Sequence, residues 1–562
     1  MEILEKMLVD SFDLWSTSMS ERASTRGRSS ANSGNIYGVQ KLRELILQLA
    51  VSGRLTTAAN SLRSANENLS DQSKAEPFIV PSGWVWKSLR EVGRVSTGKT
   101  PDTRNSNFYI GTTPFIGPGQ LSMNHRILKS DKFISKEAEL NTSIALPGSI
   151  LMVCIGGSIG KSAIATHRVA FNQQINAIQT TDCNVEFIHM CLRAKFFLER
   201  VHQLSSGSAT PIINKSRWEN IQIPIPPIGQ QNKIVEKVNA LMQLCDQLER
   251  DALKKEIFHD NLVIHFMSLL LRAESIGSFQ DNWSEVSQLF DELFISEQNI
   301  NYLRGIIIDL ALEGKISLQD SSKDTLVDFL ELCRKNACHS STKRGRKLNN
   351  ASDFQSDKKG LHQIPESWSW IRLSELASFE NGDRSKNYPS RDQFVAAGMA
   401  FINAGHLQEE GIDYSNMNFI DVETYDNLRS GKIKEGDILF CLRGSLGKFA
   451  IVKNGETGAI ASSLVIIRPF APEIVDYLGI YFSSTLAKDQ ILKFDNGTAQ
   501  PNLAGADLGH FQVPLPPLSE QKAIVASLKR LLALCDQLSE SFSKARQLEC
   551  MLADSFVDQA LS

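Results

Sequence analysis

Two stretches of the chain carry apolar residues at alternating intervals of four and three positions. In the first stretch these residues are Ile234, Val238, Leu241, Cys245, Leu248 and Ala252. This spacing places them in a narrow stripe along an α-helix, the pattern of a coiled-coil seam. A Pro-Pro pair precedes the stretch, and we expect the helix to run from Gly229 to about Leu271. At 1.5 Å per residue that helix is roughly 60 Å long.

The second stretch repeats the pattern near the end of the chain. Its apolar residues are Ile524, Leu528, Leu531, Cys535, Leu538, Phe542 and Ala545. A long helix with an apolar seam needs a partner to cover it. The natural partner of each helix is its own copy, packed antiparallel as a spacer.

Both stretches belong to a longer internal repeat. The segment that begins at Gly207 matches the one that begins at Gly497 without a gap, an offset of 497 − 207 = 290 residues. Both segments contain a Pro-Pro pair and the sequence LCDQL. Three further pairs of segments match at other offsets, which indicates loops of unequal length; they begin at Ser82 and Glu366, Pro147 and Glu435, and Lys41 and Tyr302.

One further match joins the two ends of the sequence. LEKMLVDSF (Leu4–Phe12) resembles LECMLADSF (Leu548–Phe556), so the N-terminal piece reads as a continuation of the C-terminal helix. Joined head to tail, the two halves would form a closed ring with pseudo-twofold symmetry.

The segments between the helices have a different texture. They are rich in Gly, Ser, Thr, Asn and β-branched residues, and short apolar runs such as Ser149–Cys154 predict strands. The fold class is therefore α+β, with two mixed α/β domains separated by two long antiparallel coiled-coil-like helical regions. The predicted divisions are an N-terminal helical segment at 1–78 (disordered at 20–34), a first domain at 79–225, a helical spacer at 226–318, a linker at 319–361, a second domain at 362–515 and a C-terminal helical spacer at 516–562.

Composition narrows the class of protein. The net charge is 60 − 63 = −3, which argues against a chain that grips nucleic acid strongly on its own. The nine cysteines form no C-x-x-C pair and several fall in helical seams, as expected for buried thiols in a reducing cytoplasm. No apolar run approaches the ~20 residues of a membrane span, and the start MEILEKMLVDSF lacks the features of a secretory signal.

One motif imitates a nucleotide-binding loop. IGGSIGKS (Ile155–Ser162) ends like a P-loop but has isoleucine where the first glycine is required. Its second copy continues from Lys448 into Phe449, without the Ser or Thr that would hold magnesium. Strand-like residues follow both copies, whereas a P-loop opens a helix. A Gly-Ser turn between strands fits better, and its exposed amides and lysine also suit a phosphate-backbone contact.

The pattern resembles the specificity subunit of Type I restriction–modification enzymes. Three features carry the resemblance across nearly the whole chain. They are the helix starts I-P-x-P-P-x-x-Q-Q and V-P-x-P-P-x-x-E-Q (Ile223–Gln231 and Val513–Gln521) with their LCDQL helices, the W-x-W-x-x-L domain starts, and the G-S-x-G-K turns.

The resemblance implies a non-catalytic DNA-binding subunit. Each variable domain would read one half of a bipartite, asymmetric DNA target, while the helices set the gap and dock two methyltransferase subunits. Two restriction and motor subunits would join for cleavage. S-adenosylmethionine, ATP and Mg²⁺ would belong to those partners, with no cofactor or metal in this chain. The whole complex would act as a DNA adenine methyltransferase and ATP-dependent endonuclease.

Candidate DNA contacts are polar and basic residues in the loops of the two variable domains. Arginine suits guanine, and glutamine and asparagine suit adenine, in bidentate major-groove geometry. The candidates are Lys99, Arg104, Asn105, Lys161, Gln173 and Gln174 in the first domain, and Arg384, Lys386, Arg391, Arg443 and Lys448 in the second.

Simpler interpretations of the candidate residues also remain open. Each candidate side chain could be ordinary solvated surface, and the alternating tryptophans Trp84, Trp86, Trp368 and Trp370 fit core packing better than base stacking. Gln231 and Gln521 read as first-turn capping residues. Two rival functions remain: a coiled-coil scaffold without a nucleic-acid role, and a P-loop or fused restriction enzyme.

Overall fold

The computed structural model describes residues 15, 36–56, 77–207, 210–316, 325–340, 362–408, 411–495, 497 and 501–561. These residues form two units, the first made of Met1–Ile257 with Lys544–Ser562 and the second of Phe258–Ser543. The predicted disorder at 20–34 and the Leu4–Phe12 match lie outside the described residues.

The described helices are numbered along the chain. They are α1 Tyr37–Val51, α2 Leu89–Val92, α3 Lys136–Glu139, α4 Val185–Arg193, α5 Lys195–Leu204, α6 Lys215–Glu219, α7 Ile228–Leu271, α8 Ile276–Gln288, α9 Phe290–Leu293, α10 Glu297–Leu312, α11 Leu326–Ser340, α12 Leu373–Leu376, α13 Val422–Asn427, α14 Val475–Ser483, α15 Thr485–Phe494 and α16 Leu518–Leu561.

The strands follow the same convention. In the first unit they are β1 Val85–Ser88, β2 Gly93–Thr97, β3 Thr113–Ile116, β4 Phe133–Ile134, β5 Ser143–Ala145, β6 Ile150–Val153, β7 Ser162–Ile164, β8 Val169–Phe171, β9 Ile175–Thr180 and β10 Gln222–Ile225. In the second unit they are β11 Ser369–Arg372, β12 Ala377–Asn381, β13 Phe394–Val395, β14 Met399–Ile402, β15 Leu407–Gln408, β16 Gly411–Ile412, β17 Asn418–Ile420, β18 Ile438–Cys441, β19 Phe449–Ile451, β20 Gly458–Ile460, β21 Leu464–Pro469 and β22 Gln512–Leu515.

The two long helices are confirmed. Helices α7 and α16 are each 44 residues long, and both start and end 290 residues apart. Each begins after a Pro-Pro pair, because proline cannot continue a preceding strand ladder and is pre-set for the first helical turn. The predicted seam is buried at Ile234, Val238, Cys245, Ile524, Leu528 and Cys535, and half-buried at Leu241, Leu248, Leu531 and Leu538.

The seam contacts more than its copy. In the first unit, the start of α7 shares an apolar cluster with Ala553 and Val557 near the end of α16, and also with Leu42 and Ile46 of α1. In the second unit, the end of α7 meets helix α10 and the middle part of α16, around Cys535, in an equivalent cluster. The seam pattern predicts only that the two long helices pack against each other. In each unit an additional short helix, α1 or α10, covers apolar surface that the two long helices would leave exposed to solvent.

A basic side chain caps the end of each long helix. Arg54 donates from Nη1 to the carbonyl oxygen of Leu561, and Lys315 donates from Nζ to that of Leu271, both at 2.6 Å. The last carbonyls of a helix have no partner within it, so a cation there satisfies an acceptor and faces the negative end of the helix dipole.

Each unit builds a mixed α/β domain on the same sheet plan. The first has a four-stranded antiparallel sheet ordered β2-β9-β6-β7, and the second repeats it as β12-β21-β18-β19. A second sheet follows in each, ordered β4-β3-β8-β5 and β13-β17-β14-β20, with one parallel pair in each. Short antiparallel pairs β1-β10 and β11-β22 bring the start and end of each domain together.

The tryptophans at the domain starts pack as predicted. Trp84 Nε1 donates to Gln230 Oε1 and Trp368 Nε1 to Glu520 Oε2, both at 2.9 Å, which ties each domain start to the first turn of its long helix. Trp86 packs edge-on against Phe78 and Phe196, and Trp370 against His362.

The two equivalent glutamines after the Pro-Pro pairs have a different role from the predicted one. Gln231 and Gln521 are buried, and each donates from Nε2 to the carbonyl oxygen of the first proline, Pro226 or Pro516, at 2.8 Å. They therefore hold the Pro-Pro turn against the helix, instead of accepting from the amides of its first turn.

The predicted linker at 319–361 is wrong in its middle. Residues 326–340 form α11, which buries Phe329, Cys333 and Ala337. These apolar residues recur every four positions, and Phe329 and Cys333 belong to the core of the second domain. The polar residues around them concealed that period, and the flanking parts at 319–324 and 341–361 lie outside the described residues.

Candidate nucleic-acid interface

In the first domain, four chain segments meet at one end of the β2-β9-β6-β7 sheet. They are the residues after β2, the turn between β6 and β7, the turn between β8 and β9, and residues 211–213. Backbone hydrogen bonds join them: Lys99 N donates to Phe171 O (3.0 Å), Cys154 N to Gln174 O (2.8 Å) and Ile213 N to Cys154 O (2.9 Å). The loops at this end of the sheet thus bring residues that are far apart in sequence onto one surface.

Four candidate residues of the first domain lie in these segments. Lys99 and Gln173 are exposed, whereas Lys161 and Gln174 are half-buried. Gln173 Oε1 accepts from Thr100 Oγ1 at 2.5 Å, and Gln174 Oε1 accepts from Asn172 Nδ2 at 3.0 Å. Both amide oxygens are therefore held, which orients the –NH₂ donors of the two side chains.

The other two candidates lie just beyond, in the loop that follows Thr100. Arg104 is 90% exposed and pairs with Asp102 at 2.9 Å, and hydrogen bonds from Arg104 lower the pKa of the Asp102 carboxyl. Asn105 accepts from Asn107 N at 3.1 Å and so starts the 3-10 helix Ser106–Tyr109. The oxygen of Asn105 thus has a local structural role.

The second domain repeats the arrangement with the same bonds. Leu442 N donates to Ser463 O (2.9 Å) as Cys154 N does to Gln174 O, and Leu503 N donates to Leu442 O (3.0 Å) as Ile213 N does to Cys154 O. The surface in the second domain therefore consists of the residues after β12, the turn between β18 and β19, residues 461–463 and residues 501–503.

Four candidates of the second domain lie on this surface. Arg384 Nη2 donates to Ser462 O at 3.3 Å, and Arg443 Nε donates to Asn502 Oδ1 at 2.9 Å. Lys386 and Lys448 are exposed on the same segments. Arg391 lies further along the chain, in the 3-10 helix Arg391–Gln393 that leads into β13.

The turn between β6 and β7 in the first domain has one more residue than the turn between β18 and β19 in the second. Val153 N donates to Lys161 O and Cys441 N to Lys448 O, both at 2.8 Å, so the turns comprise residues 154–160 and 442–447. In both, the glycine before the lysine has a positive φ, 92° at Gly160 and 85° at Gly447. As predicted, an antiparallel strand follows each turn, β7 or β19, where a nucleotide-binding loop would open a helix.

Two histidines, of which His189 is buried and His125 half-buried, contact the residue that follows the turn of the first domain. Ser162, the residue after Lys161, bonds through Oγ to His189 Nε2 at 3.1 Å and through its carbonyl oxygen to His125 Nδ1 at 3.2 Å. Burial, aided by the nearby Arg193, lowers the pKa of His125 to about 4 and that of His189 to about 3. Both rings are neutral at pH 7, and both are hydrogen-bonded to Ser162, the first residue of β7.

Sequence reasoning missed two organising residues of the second domain. Asp383 is buried and accepts from Ser385 N and Arg429 N, both at 2.7 Å. Burial opposes its ionisation, but these hydrogen bonds outweigh it and lower the pKa of Asp383. The Asp-x-Ser spacing before Lys386 is an Asx-turn signal that could have identified Asp383; Asn502 carries no such local signal.

The described residues contain no helix with the length and apolarity that crossing a membrane requires. Within the same residues, no group of three or more His, Cys, Asp or Glu side chains is placed to hold a metal ion.

Comparison with known proteins gives a consistent family. The family model described as the Type I restriction modification DNA specificity domain matches residues 81–259 and again 365–546. The chain is 25% identical to the specificity subunit of the Type I restriction enzyme EcoAI of Escherichia coli and 23% identical to that of EcoEI, also from Escherichia coli. Both alignments cover 100% of this chain and 100% of the relative.

Two solved structures are similar at lower identity. One is a chain from a structure of a type I R-M system, with a TM-score of 0.46 and 16% identity, covering 86% of this chain and 99% of that one. The other is the HsdS subunit from Thermoanaerobacter tengcongensis, with a TM-score of 0.39 and 16% identity, covering 86% and 98%.

Two copies of the family domain, each spanning one of the repeated sheet-end surfaces, account for most of the chain. The relatives that it matches over their full length are named as specificity subunits of Type I restriction enzymes. The chain belongs to the Type I restriction–modification DNA specificity family, as a non-catalytic specificity subunit.

Proposed function

We propose that each domain reads one half of a bipartite, asymmetric DNA sequence through the surface at its sheet end. The observation that carries this proposal is that one backbone arrangement occurs twice with different side chains on it. A retained frame with divergent side chains is what two different half-sites require. On this proposal, residues 79–225 and 362–515 are the two recognition domains.

The candidate residues divide by chemistry. Gln173 and Gln174, with their oxygens held and their –NH₂ groups oriented, suit the acceptor on an adenine edge, and Arg384 and Arg443 suit guanine. The remaining side chains fit phosphates or neighbouring bases; they are Lys99, Arg104, Asn105, Lys161, Lys386, Arg391 and Lys448. Because the whole chain has a net charge of −3, partner subunits would supply much of the phosphate contact.

The long helices would set the gap between the half-sites and dock the partners. Nearly all of the seam residues are buried or half-buried inside their own units, so docking would use other positions of the same helices. Leu244 and Leu534, 290 residues apart, are both 56% exposed, and Phe258 and Leu548 are 72% and 65% exposed. The repetition of these apolar positions favours a partner present in two copies.

Those partners would be two methyltransferase subunits, joined by two restriction and motor subunits for cleavage. S-adenosylmethionine, ATP and Mg²⁺ would bind to them, and the assembled complex would methylate adenine and cleave DNA at the expense of ATP. The complex would act in the cytoplasm, where the buried free thiols of this chain stay reduced.

The test is to express the chain with the modification subunit encoded beside it and to map the methylated sequence on genomic DNA. A gapped, two-part sequence is expected. Shortening α7 by whole turns should then change the gap and leave both half-sites intact. Exchange of residues 79–225 for another such domain should change one half-site only. A chain that assembles but directs methylation to no defined sequence would support the scaffold alternative.

A further inference from the structure

An isolated β-bridge occupies the same place on the sheet-end surface of both domains. In the first domain it pairs Ile155 with Ile212, and in the second it pairs Arg443 with Asn502. Equivalent hydrogen bonds flank the two bridges: Gly156 N donates to Pro211 O (2.9 Å), and Gly444 N donates to Pro501 O (3.3 Å). The backbone arrangement is therefore the same in both domains, but the paired side chains are apolar in the first domain and polar or charged in the second.

In the second domain, the two paired residues also interact through their side chains, and this restrains the arginine. Arg443 Nε donates to Asn502 Oδ1 at 2.9 Å, and Asn502 N in turn donates to Asp495 Oδ1 at 2.9 Å. The bond engages the Nε–H, so the Nη1 and Nη2 groups point onward from a guanidinium whose plane is set by Asn502. The Arg443 side chain is exposed.

We propose that Arg443 reads a guanine in the half-site of the second domain, with Asn502 as its positioning residue. This inference rests on the proposed function of that domain. The two Nη groups form a planar fork that matches the O6 and N7 acceptors on the major-groove edge of guanine. Because Asn502 already restrains the side chain, less rotamer entropy is lost when the base is bound.

A phosphate contact is the competing role for an exposed arginine. A phosphate contact stabilises the complex on every DNA sequence alike, whereas a base contact changes selection at one position of the half-site. In the first domain the same position carries Ile155, whose side chain has no donor for a phosphate oxygen. The same backbone position thus carries isoleucine in one domain and arginine in the other, which is expected of a residue that contacts bases in two different half-sites.

The experiment uses the full chain assembled with its modification subunits. Methylation is mapped on a randomised DNA library for the wild type and for Arg443→Lys, Arg443→Ala and Asn502→Ala. The matched control is Arg372→Ala, which removes an exposed arginine of the same domain on β11. Unchanged selection at the first half-site reports that each variant folds and assembles.

The expected result is a guanine at one position of the second half-site that both Arg443 variants relax. Discrimination at that position should fall by roughly tenfold to a hundredfold, with the other positions unchanged. Asn502→Ala should relax the same position less, and Arg372→Ala should leave it intact.

Three outcomes would overturn the assignment: a second half-site without guanine on either strand, a uniform loss of methylation across all sequences, or an Arg443→Lys variant that selects like the wild type. A wild-type complex that selects no two-part sequence would instead refute the proposed function itself, so the two failures are distinguishable.

Discussion

Arg43 Nη2 lies 2.8 Å from Asp246 Oδ1, and the pair joins helix α1 to the LCDQL sequence of α7. Arg304 makes the same ion pair with Asp536, the aspartate of the second LCDQL sequence, and so joins α10 to α16. Among the described residues, the first arginine alone has a second carboxylate, Glu249 Oε2, at 2.7 Å. The LCDQL sequence, which reveals the internal repeat, is thus also where a short helix, α1 or α10, is attached to each long helix.

Asp536→Asn is expected to lower the free energy of unfolding more than Asp246→Asn. Arg304 would lose its ion pair, whereas Arg43 would keep Glu249. Both aspartates are more than half exposed, so the losses stay within about 1 kcal/mol and shrink at high salt. Urea titrations of both variants at low and high salt would measure this. Equal losses at every salt concentration would contradict it.

Glu520→Ala is expected to destabilise the second unit by about 1–3 kcal/mol, because it leaves the Trp368 indole N–H buried without its acceptor. Glu520→Gln keeps an oxygen in place, as Gln230 does opposite Trp84, and should cost clearly less. Denaturant midpoints followed by tryptophan fluorescence would compare the two variants. A glutamine variant as unstable as the alanine variant would show that the charge of Glu520 is what matters.

Gly447→Ala is expected to weaken recognition of one half-site. Gly447 has φ 85°, where a side chain costs about 1–2 kcal/mol, and an added Cβ would lie 3.0 Å from Ile491 Cδ1. The turn that carries Arg443 and Lys448 would shift in response. Gly119→Ala, at a position with open space and no positive φ, is the matched control. Binding assays on half-site mutants of the target would detect the difference, and equal behaviour of both variants would refute the idea.

The first unit is expected to lose stability as the pH falls below about 6.5. An unfolded histidine takes up a proton near that pH, whereas burial lowers the pKa of His189 in the folded unit to about 3. The unfolded state therefore binds more protons between these values, at a cost of about 1 kcal/mol per pH unit.

Replacing His189 with glutamine should flatten this part of the pH profile. Replacing His167, which is exposed, should not. Denaturant midpoints between pH 7.5 and 5 would show the effect. A variant at His189 with the slope of the wild type would contradict the assignment.

Leu244→Ser and Leu534→Ser are each expected to weaken assembly with partner subunits at little cost in stability. Both leucines are more than half exposed in the chain, so serine removes apolar surface without opening a cavity. The matched control is Leu146→Ser, at an exposed leucine outside the long helices. Pull-down with the modification subunit would measure the loss, and retention by the double variant would exclude this face.

The sequence predicts the elements that follow from local pattern. The seams of α7 and α16, the tryptophan packing and the strand after each G-S-x-G-K turn are all confirmed. Loop position also predicts that Lys99, Gln173, Arg384 and Arg443 lie near strand ends. These features depend on residues close together in the chain.

Other features depend on partners that are distant in sequence, and no local pattern reveals them. Asn502 acquires its role only when it pairs with Arg443, 59 residues earlier. Helix α11 buries a sparse apolar stripe against a core assembled mainly from later residues.

The cap on α16 has a consequence for how the protein folds as it is synthesised. Arg54 and the Leu561 carbonyl that it caps are 507 residues apart, whereas Lys315 follows Leu271 by only 44. At about 5–20 residues per second, a ribosome needs roughly 25–100 s to make the intervening chain. The surface of α1 that faces α16 must stay uncovered for that time, so the first unit, although it contains the earliest residues, is completed last.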